Sequence, residues 1–307
     1  MWDFSLLAAT RSIETSMPFV LYRLLVYLGV GLAYLLGTLA GAGTLIAFAS
    51  FSANPIAVAN FGGILSFIGI ALLVHQLRGL LFFGVKAGNL ALLAEQARGV
   101  KLAEGWAQVD YAKQAAAQAF PSPALFFEVS RSTGQALQAL PSTHWRALAG
   151  LKPPALARVA DFLAGCLVRS GAHASLILHF LKNRENPWQS AQTALVFQAR
   201  YFAELLKYRL YTLLFEYLGL LAAIVLMLYP INAAASALPA AVGAWRFVFA
   251  LVFGWSLKAA FFEPIATAAM AGLYLKLAER EPPATEAEIG TLAEQSPAFR
   301  SIREKAV

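Results

Sequence analysis

Residues 211–229, YTLLFEYLGLLAAIVLMLY, and residues 244–277, AWRFVFALVFGWSLKAAFFEPIATAAMAGLYLKL, decide how this chain folds. Each run has the ~20 mostly apolar residues that an α-helix needs to cross a hydrocarbon core of about 30 Å. An uncharged stretch joins them, so together they predict a transmembrane hairpin. Upstream, Asn186-Pro187-Trp188 puts a polar cap before a proline at the first helical position. That signal opens a helix predicted to continue through Tyr208 into the first apolar run. The hairpin carries Glu216, Lys258 and Glu263, charges that lipid normally forbids.

Working outward, a second pair of spans stands near the N-terminus. No Asp, Glu, Lys or Arg occurs between Leu24 and Leu77, which is room for two spans. Asn54-Pro55 repeats the cap-plus-proline device and divides them. The expected spans are about 21–48 and about 57–82, with a turn at about 50–56. Gly37-x-x-x-Gly41 on the first span lets helices approach closely; we read it as packing inside this hairpin, with a contact between copies as the alternative. Before it, residues 1–16 mix Trp2, Phe4, Leu6 and Leu7 with Asp3, Arg11 and Glu14, the pattern of a short interfacial helix. No basic segment leads into a short apolar core there, so no cleaved leader is expected.

Between the hairpins the composition changes. Residues 78–209 are alanine-rich, basic and helical in period, broken by Pro121, Pro123, Pro141, Pro153 and Pro154. Leu125/Phe126, Val129, Ala136/Leu137 and Leu140 form one apolar stripe. Leu156, Val159, Leu163, Cys166/Leu167, Ala174, Ile177/Leu178 and Leu181 form another. Residues 159–181 are long enough to span, but Asp161, Arg169 and His173 make that costly, so a partly inserted or surface helix is expected. The organisation along the chain is therefore 1–84, interfacial helix and first hairpin; 85–185, cytoplasmic or interfacial helical region; 186–281, second hairpin; and 282–307, a charged cytoplasmic tail whose Phe299, Ile302 and Val307 are placed to dock.

The 307 residues are 59% hydrophobic and 13% charged, with mean hydropathy +0.61. Soluble domains carry about 25% charged residues, so the deficit agrees with an all-α integral membrane protein of about four transmembrane helices in two hairpins, with cytoplasmic amphipathic helices between them. The net charge of +7 reads as topology rather than nucleic-acid binding. With four spans the outer loops, about 50–56 and 230–243, hold no charged residue, while Arg11, Arg23, the 78–209 region, Lys276, Arg280 and the tail fall on the other side. The positive-inside rule then puts both termini in the cytoplasm of a cell inner membrane, facing anionic lipid.

Depth along the helices pairs two of the intramembrane charges. Glu216 lies fourteen residues before Pro230 and Lys258 fourteen after Ala244, about 21 Å from the outer boundary on each side at 1.5 Å per residue. They are expected to form an ion pair, either as a structural lock or as part of a transport path. Glu263 lies further in, near the level of His75, Arg78 and Arg23, and precedes Pro264, which kinks the helix and frees a carbonyl. It reads as a cation or proton site, or as a carboxylate neutralised by Arg78. Trp255, Tyr217 and Tyr211 stand near the Glu216/Lys258 level and can cage a quaternary ammonium. His173 and His179 are six apart and face different ways, and the single cysteine, Cys166, cannot form an internal disulfide. No metal site, no cofactor and no nucleophile–base set for an enzyme is read.

Gly165-Cys166, Ser170-Gly171-Ala172-His173-Ala174, Pro187-Trp188-Gln189-Ser190-Ala191 and Phe261-Phe262-Glu263-Pro264 mark residues 159–281 as a stretch that resembles the choline-transporter-like family. Lys86-Ala87-Gly88-Asn89-Leu90-Ala91-Leu92-Leu93 is similar to a KAGxxALL stretch of uncharacterised bacterial membrane proteins. The first resemblance implies a membrane transporter for a small organic cation. That family has more spans and a large extracellular loop without counterpart here, so transport by four helices implies a homo-oligomer or a different mode of action. Two functions are thus expected: a transporter-like protein for a small, cationic solute, with Glu216, Lys258 and Glu263 as its polar elements, or a non-transporting scaffold that binds lipid or a partner.

Overall fold

The computed structural model describes residues 5–48, 54–140, 162–169, 172–182, 186–235 and 245–307. Trp2, Asp3, Phe4, the centre of the first turn, Pro141, Pro153, Pro154, Leu156, Val159, Asp161, Ser170-Gly171 and residues 236–244 lie outside them. The described residues are helical, with no strand among them. In chain order they form α1 (Leu6–Glu14), α2 (Met17–Phe48), α3 (Pro55–Ala97), α4 (Trp106–Ala119) and α5 (Pro123–Ala139). Then come α6 (162–169), a 3-10 turn (Ala172–Leu176), α7 (Ile177–Lys182), α8 (Pro187–Arg200) and α9 (Phe202–Ala235). After α10 (Trp245–Leu257) a π-helical turn, Lys258–Phe262, leads into α11 (Glu263–Arg280), α12 (Glu286–Gln295) and α13 (Pro297–Ala306).

Among the described residues, four helical runs are long and apolar enough to cross a membrane: Met17–Phe48, Pro55–Ala97, Phe202–Ala235 and Trp245–Arg280. The chain is an all-α membrane protein with lipid-contacting helices. Several bounds differ from the sequence reading. The 43 residues of α3 extend about 65 Å at 1.5 Å per residue, well past the expected end near 82. Helix α9 continues through Pro230 to Ala235; a proline there costs one amide donor, which does not stop a helix whose apolar surface faces lipid. The helix expected from Asn186 through Tyr208 is broken at Tyr201, whose φ of −116° and ψ of 34° are not helical.

The residues group into two compact units, one of 20–82 with 216–263 and one of 1–19, 83–215 and 264–307. The first is the hairpin unit. In it α2 and α3 run antiparallel: Tyr27 stacks on Phe82 at 5.2 Å, Tyr34 meets Phe67 at 4.8 Å, and Gly41 lies against Gly62. A Cβ on Gly41 would stand 2.6 Å from the Gly62 carbonyl oxygen, so here close approach does require glycine. The Gly37/Gly41 face is therefore consumed inside its own hairpin. Across the second hairpin, a Cβ on Gly254 would meet the Ile224 backbone at 3.0 Å. The hairpins also pack on each other, with Trp245 Nε1 donating to Asn60 Oδ1 at 3.0 Å and Ser256 Oγ donating to the Tyr27 carbonyl at 3.0 Å.

The second unit has a core of its own, built on Leu90, Leu92, Phe120, Phe126, Phe197 and Tyr274, all buried. The KAGxxALL stretch supplies part of it, since Ala87 and Leu90 to Ala94 are inside. The α5 stripe is buried as expected through Phe126, Val129, Ala136, Leu137 and Leu140. The second stripe is shifted. On α6 the buried residues are Ala164, Gly165 and Val168, while Leu163 and Cys166 are exposed. Gly165 packs against Gln138, a close approach that the larger side chains would prevent. Residues 172–180 are almost wholly enclosed by protein, so this part of 159–181 is core rather than a surface helix.

Both ends of the chain dock on this second unit. Helix α1 is capped by Ser5, whose Oγ accepts from Ala8 N, and it buries Ala9 and Ile13. Gln96 on α3 donates to the Ser12 carbonyl at 2.9 Å and to Thr15 Oγ1 at 2.7 Å. What reads as an interfacial helix is thus held by protein along one face. At the other end α13 buries Phe299 and Ile302, worth about 1.5–3 kcal/mol each, whereas Val307 is fully exposed.

Candidate functional site

Two of the charges on the long apolar helices meet within the hairpin unit. Lys258 Nζ lies 2.6 Å from Glu216 Oε2, so the pair expected from the depth count is present. Glu216 is 4% and Lys258 7% exposed, and at this burial each stabilises the charge of the other. The Lys258 ammonium also lies 5.2 Å from the Trp255 ring and 5.7 Å from the Tyr217 ring. Two of the three aromatics read as a cage therefore surround the protein's own cation. The third, Tyr211, stands elsewhere, with Lys207 Nζ 5.9 Å from its ring.

One turn on, proline and backbone geometry create a second polar point. In the π turn the Glu263 amide donates to the Lys258 carbonyl, a bond that closes over five residues instead of four. By the same spacing the next carbonyl, that of Ala259, should receive the amide of residue 264. That residue is proline, which has no N–H. Arg23 fills the gap, its Nη2 donating to the Ala259 carbonyl at 2.6 Å. Its guanidinium also lies 5.7 Å from the Tyr27 ring, and Arg23 is only 2% exposed.

Glu263 is half-buried at the start of α11. His75 and Arg78 are exposed on α3, and among the described residues no ion pair joins Arg78 to Glu263. The neutralisation by Arg78 considered from the sequence is thus not what the structure displays. Arg23, expected near the level of Glu263, and Arg209, at the edge of the basic 78–209 region, are both buried. Arg209 donates to Thr212 Oγ1 at 3.1 Å. The available signal for Arg23 was Pro264, whose missing donor asks for a replacement.

The open spaces described belong to the second unit. One is a cleft of about 890 Å³ bounded by α1, the end of α3, residues 99–105 and α11. A smaller one of about 530 Å³ contains Glu95, Arg98, Tyr111 and His179. There Arg98 Nη1 donates to Glu95 at 2.7 Å and Nη2 to the Phe180 carbonyl at 2.5 Å. Burial, with Glu95 nearby, raises the Tyr111 hydroxyl above its ordinary range. His179 is buried, its Nε2 2.9 Å from the Ala119 carbonyl, and His173 meets Thr267 instead. No cluster of His, Cys, Asp and Glu suited to a metal occurs among the described residues.

A third polar group ties the tail to α8. Arg200 donates through Nε and Nη2 to the two carboxylate oxygens of Glu288, both at 2.6 Å. Its Nη1 donates to the Pro282 carbonyl at 2.8 Å. Glu288 also accepts from the Thr285 amide and hydroxyl, completing a capping box. Arg200 first, and Thr285 after it, hold the Glu288 carboxyl down at about 2. The break at Tyr201 ends α8 beside this arginine. Comparison with protein-family models, with curated proteins and with solved structures gives no match for this chain, so its function has to be read from these groups themselves.

Proposed function

We propose that the chain is a non-transporting scaffold of the cell inner membrane, whose two hairpins anchor a cytoplasmic helical unit that binds anionic lipid. The observation that carries this reading is the 2.6 Å contact between buried Glu216 and Lys258. A solute that used either charge would have to break a buried pair, which leaves its partner uncompensated at about 3–5 kcal/mol. Trp255 and Tyr217 are already engaged with the Lys258 ammonium. The pair is suited to fixing the register of the hairpin, and the cleft of about 890 Å³ belongs to the other unit.

The distribution of charge supports the orientation. Arg11, Arg78, Arg98 and Lys101 precede or follow the apolar runs on one side, and the loop stretches on the other side are uncharged. Flux measured in proteoliposomes tests the proposal. A panel of small cations, choline among them, is expected to move no faster than in empty vesicles. Flux above that background, abolished by Glu263→Gln, would overturn the reading in favour of a transporter.

A further inference from the structure

We infer that the cleft of about 890 Å³ receives one acyl chain of an anionic phospholipid, with the phosphate held among Arg11, Lys101 and Lys276. The inference rests on the scaffold reading and names its ligand. Ligand pockets run from about 300 to 1,000 Å³, so this cleft has room for a substantial apolar group. Its walls are aliphatic and small: Leu93, Ile177, Ala268, Ala269, Ala271 and Gly272. A Cβ on Gly272 would meet no atom within 4 Å, so the space at that point of α11 is open.

The amide side chains in the walls are already committed to the protein. Gln96 donates to the Ser12 carbonyl and to Thr15. Gln108, 1% exposed, donates to the Thr15 and Ala103 carbonyls and accepts from the Phe19 amide. The interior therefore offers apolar contact, and a polar solute would gain little there. Charge is confined to Arg11, Lys101, Lys276 and Glu104. Glu104 lies 3.8 Å from Lys101 with both side chains 90% exposed, a contact too solvated to cancel the Lys101 charge. Three basic residues against one acid favour an anionic headgroup over a zwitterionic one.

The walls also point to a lipid drawn from the bilayer. Pro18 on α2, Leu93 and Ala97 on α3, and Ala268, Gly272 and Lys276 on α11 all border the cleft. All belong to helical runs long and apolar enough to cross a membrane. Each contributes residues from its charged end. The loop between α3 and α4 completes the wall, and its Gly99 and Gly105 adopt φ of 74° and 61°, left-handed values that other residues avoid.

Native mass spectrometry of the full chain in a neutral detergent tests this, with phosphatidylglycerol and phosphatidylcholine of identical acyl chains. Phosphatidylglycerol is expected to be retained about tenfold more than phosphatidylcholine. Replacing Arg11, Lys101 and Lys276 together by Gln should bring the two to the same level. Gly272→Phe, which fills the cleft, should lose bound phosphatidylglycerol while helix content and Tm stay as in the native chain, and Gly272→Ala should retain it. Equal retention of the two lipids by the native chain would overturn the inference. So would a Gly272→Phe chain that holds phosphatidylglycerol undiminished, because the lipid would then bind by its headgroup alone. Absence of both retained lipid and flux removes this inference and leaves a non-transporting scaffold that meets anionic lipid at its surface alone; flux above background removes the scaffold itself.

Discussion

The guanidinium of Arg23 occupies the position that the amide of residue 264 would hold if that residue were not proline, donating to the Ala259 carbonyl at 2.6 Å. An orphaned buried carbonyl costs about 1–3 kcal/mol. Arg23→Met should therefore destabilise the native chain by about that amount. In a Pro264→Ala background, where the restored amide can serve the carbonyl, the same change should cost no more than about half as much. Unfolding of the four chains in detergent measures the coupling, and an equal cost of Arg23→Met in both backgrounds would refute the link.

Glu216 and Lys258 should couple in the same way. Glu216→Gln alone leaves Lys258 buried without its counter-charge and is expected to cost about 3–5 kcal/mol. Adding Lys258→Met removes the unpaired charge and should recover most of that loss. A double variant as unstable as the sum of the two single ones would mean that the 2.6 Å contact contributes nothing.

The contact between Gly41 and Gly62 has no room for a methyl group on either helix. Gly41→Ala is expected to destabilise the first hairpin by about 1–3 kcal/mol through overpacking. Gly29 and Gly43, with nothing within 4 Å of an added Cβ, should accept alanine without loss. Thermal unfolding compared across the three substitutions separates packing from a general demand for glycine.

The clamp between Arg200 and Glu288 gives the tail a pH dependence of known sign. The Glu288 carboxyl is held below its ordinary value of 4.5, down to about 2, by Arg200 first and Thr285 after it. Its contribution to stability is thus complete above pH 4.5 and is lost as pH falls through about 2. Hydrogen exchange in α12 and α13 should accelerate across that window. Arg200→Gln should give faster exchange at pH 7, by roughly fivefold once solvent screening is allowed for, and should flatten the acid response. Unchanged exchange in Arg200→Gln would show that packing of Phe299 and Ile302 alone holds the tail.

The sequence carried the long apolar helices, the buried face of α5 and the docking of Phe299 and Ile302, because each depends on a periodicity that burial enforces directly. The Glu216–Lys258 pair was legible for a different reason: a helix rises at a fixed rate, so equal offsets from one turn bring two residues to one level. The break at Tyr201 had no local signal, since neither proline nor glycine stands there and the geometry serves a tail some 80 residues later. Arg23 looked like a topological marker because an arginine that ends an apolar run ordinarily reaches for headgroups. The shifted face of α6 shows the limit of counting large apolar residues. Ala164 and Gly165 are buried because they are small enough for close approach, and Leu163 is left outside. The cleft was hidden for the same reason, since a wall of alanine and glycine reads as an ordinary packing surface.

The Glu216–Lys258 contact also governs how the second hairpin responds to an electric field. One elementary charge carried across 100 mV exchanges about 2.3 kcal/mol with the membrane potential. Opposite charges 2.6 Å apart are pulled in opposite directions with equal force, and their sum is the same whether the proton sits on one partner or the other. The middle of this hairpin is electrically silent, and energising or depolarising the membrane leaves its register where the pair has set it.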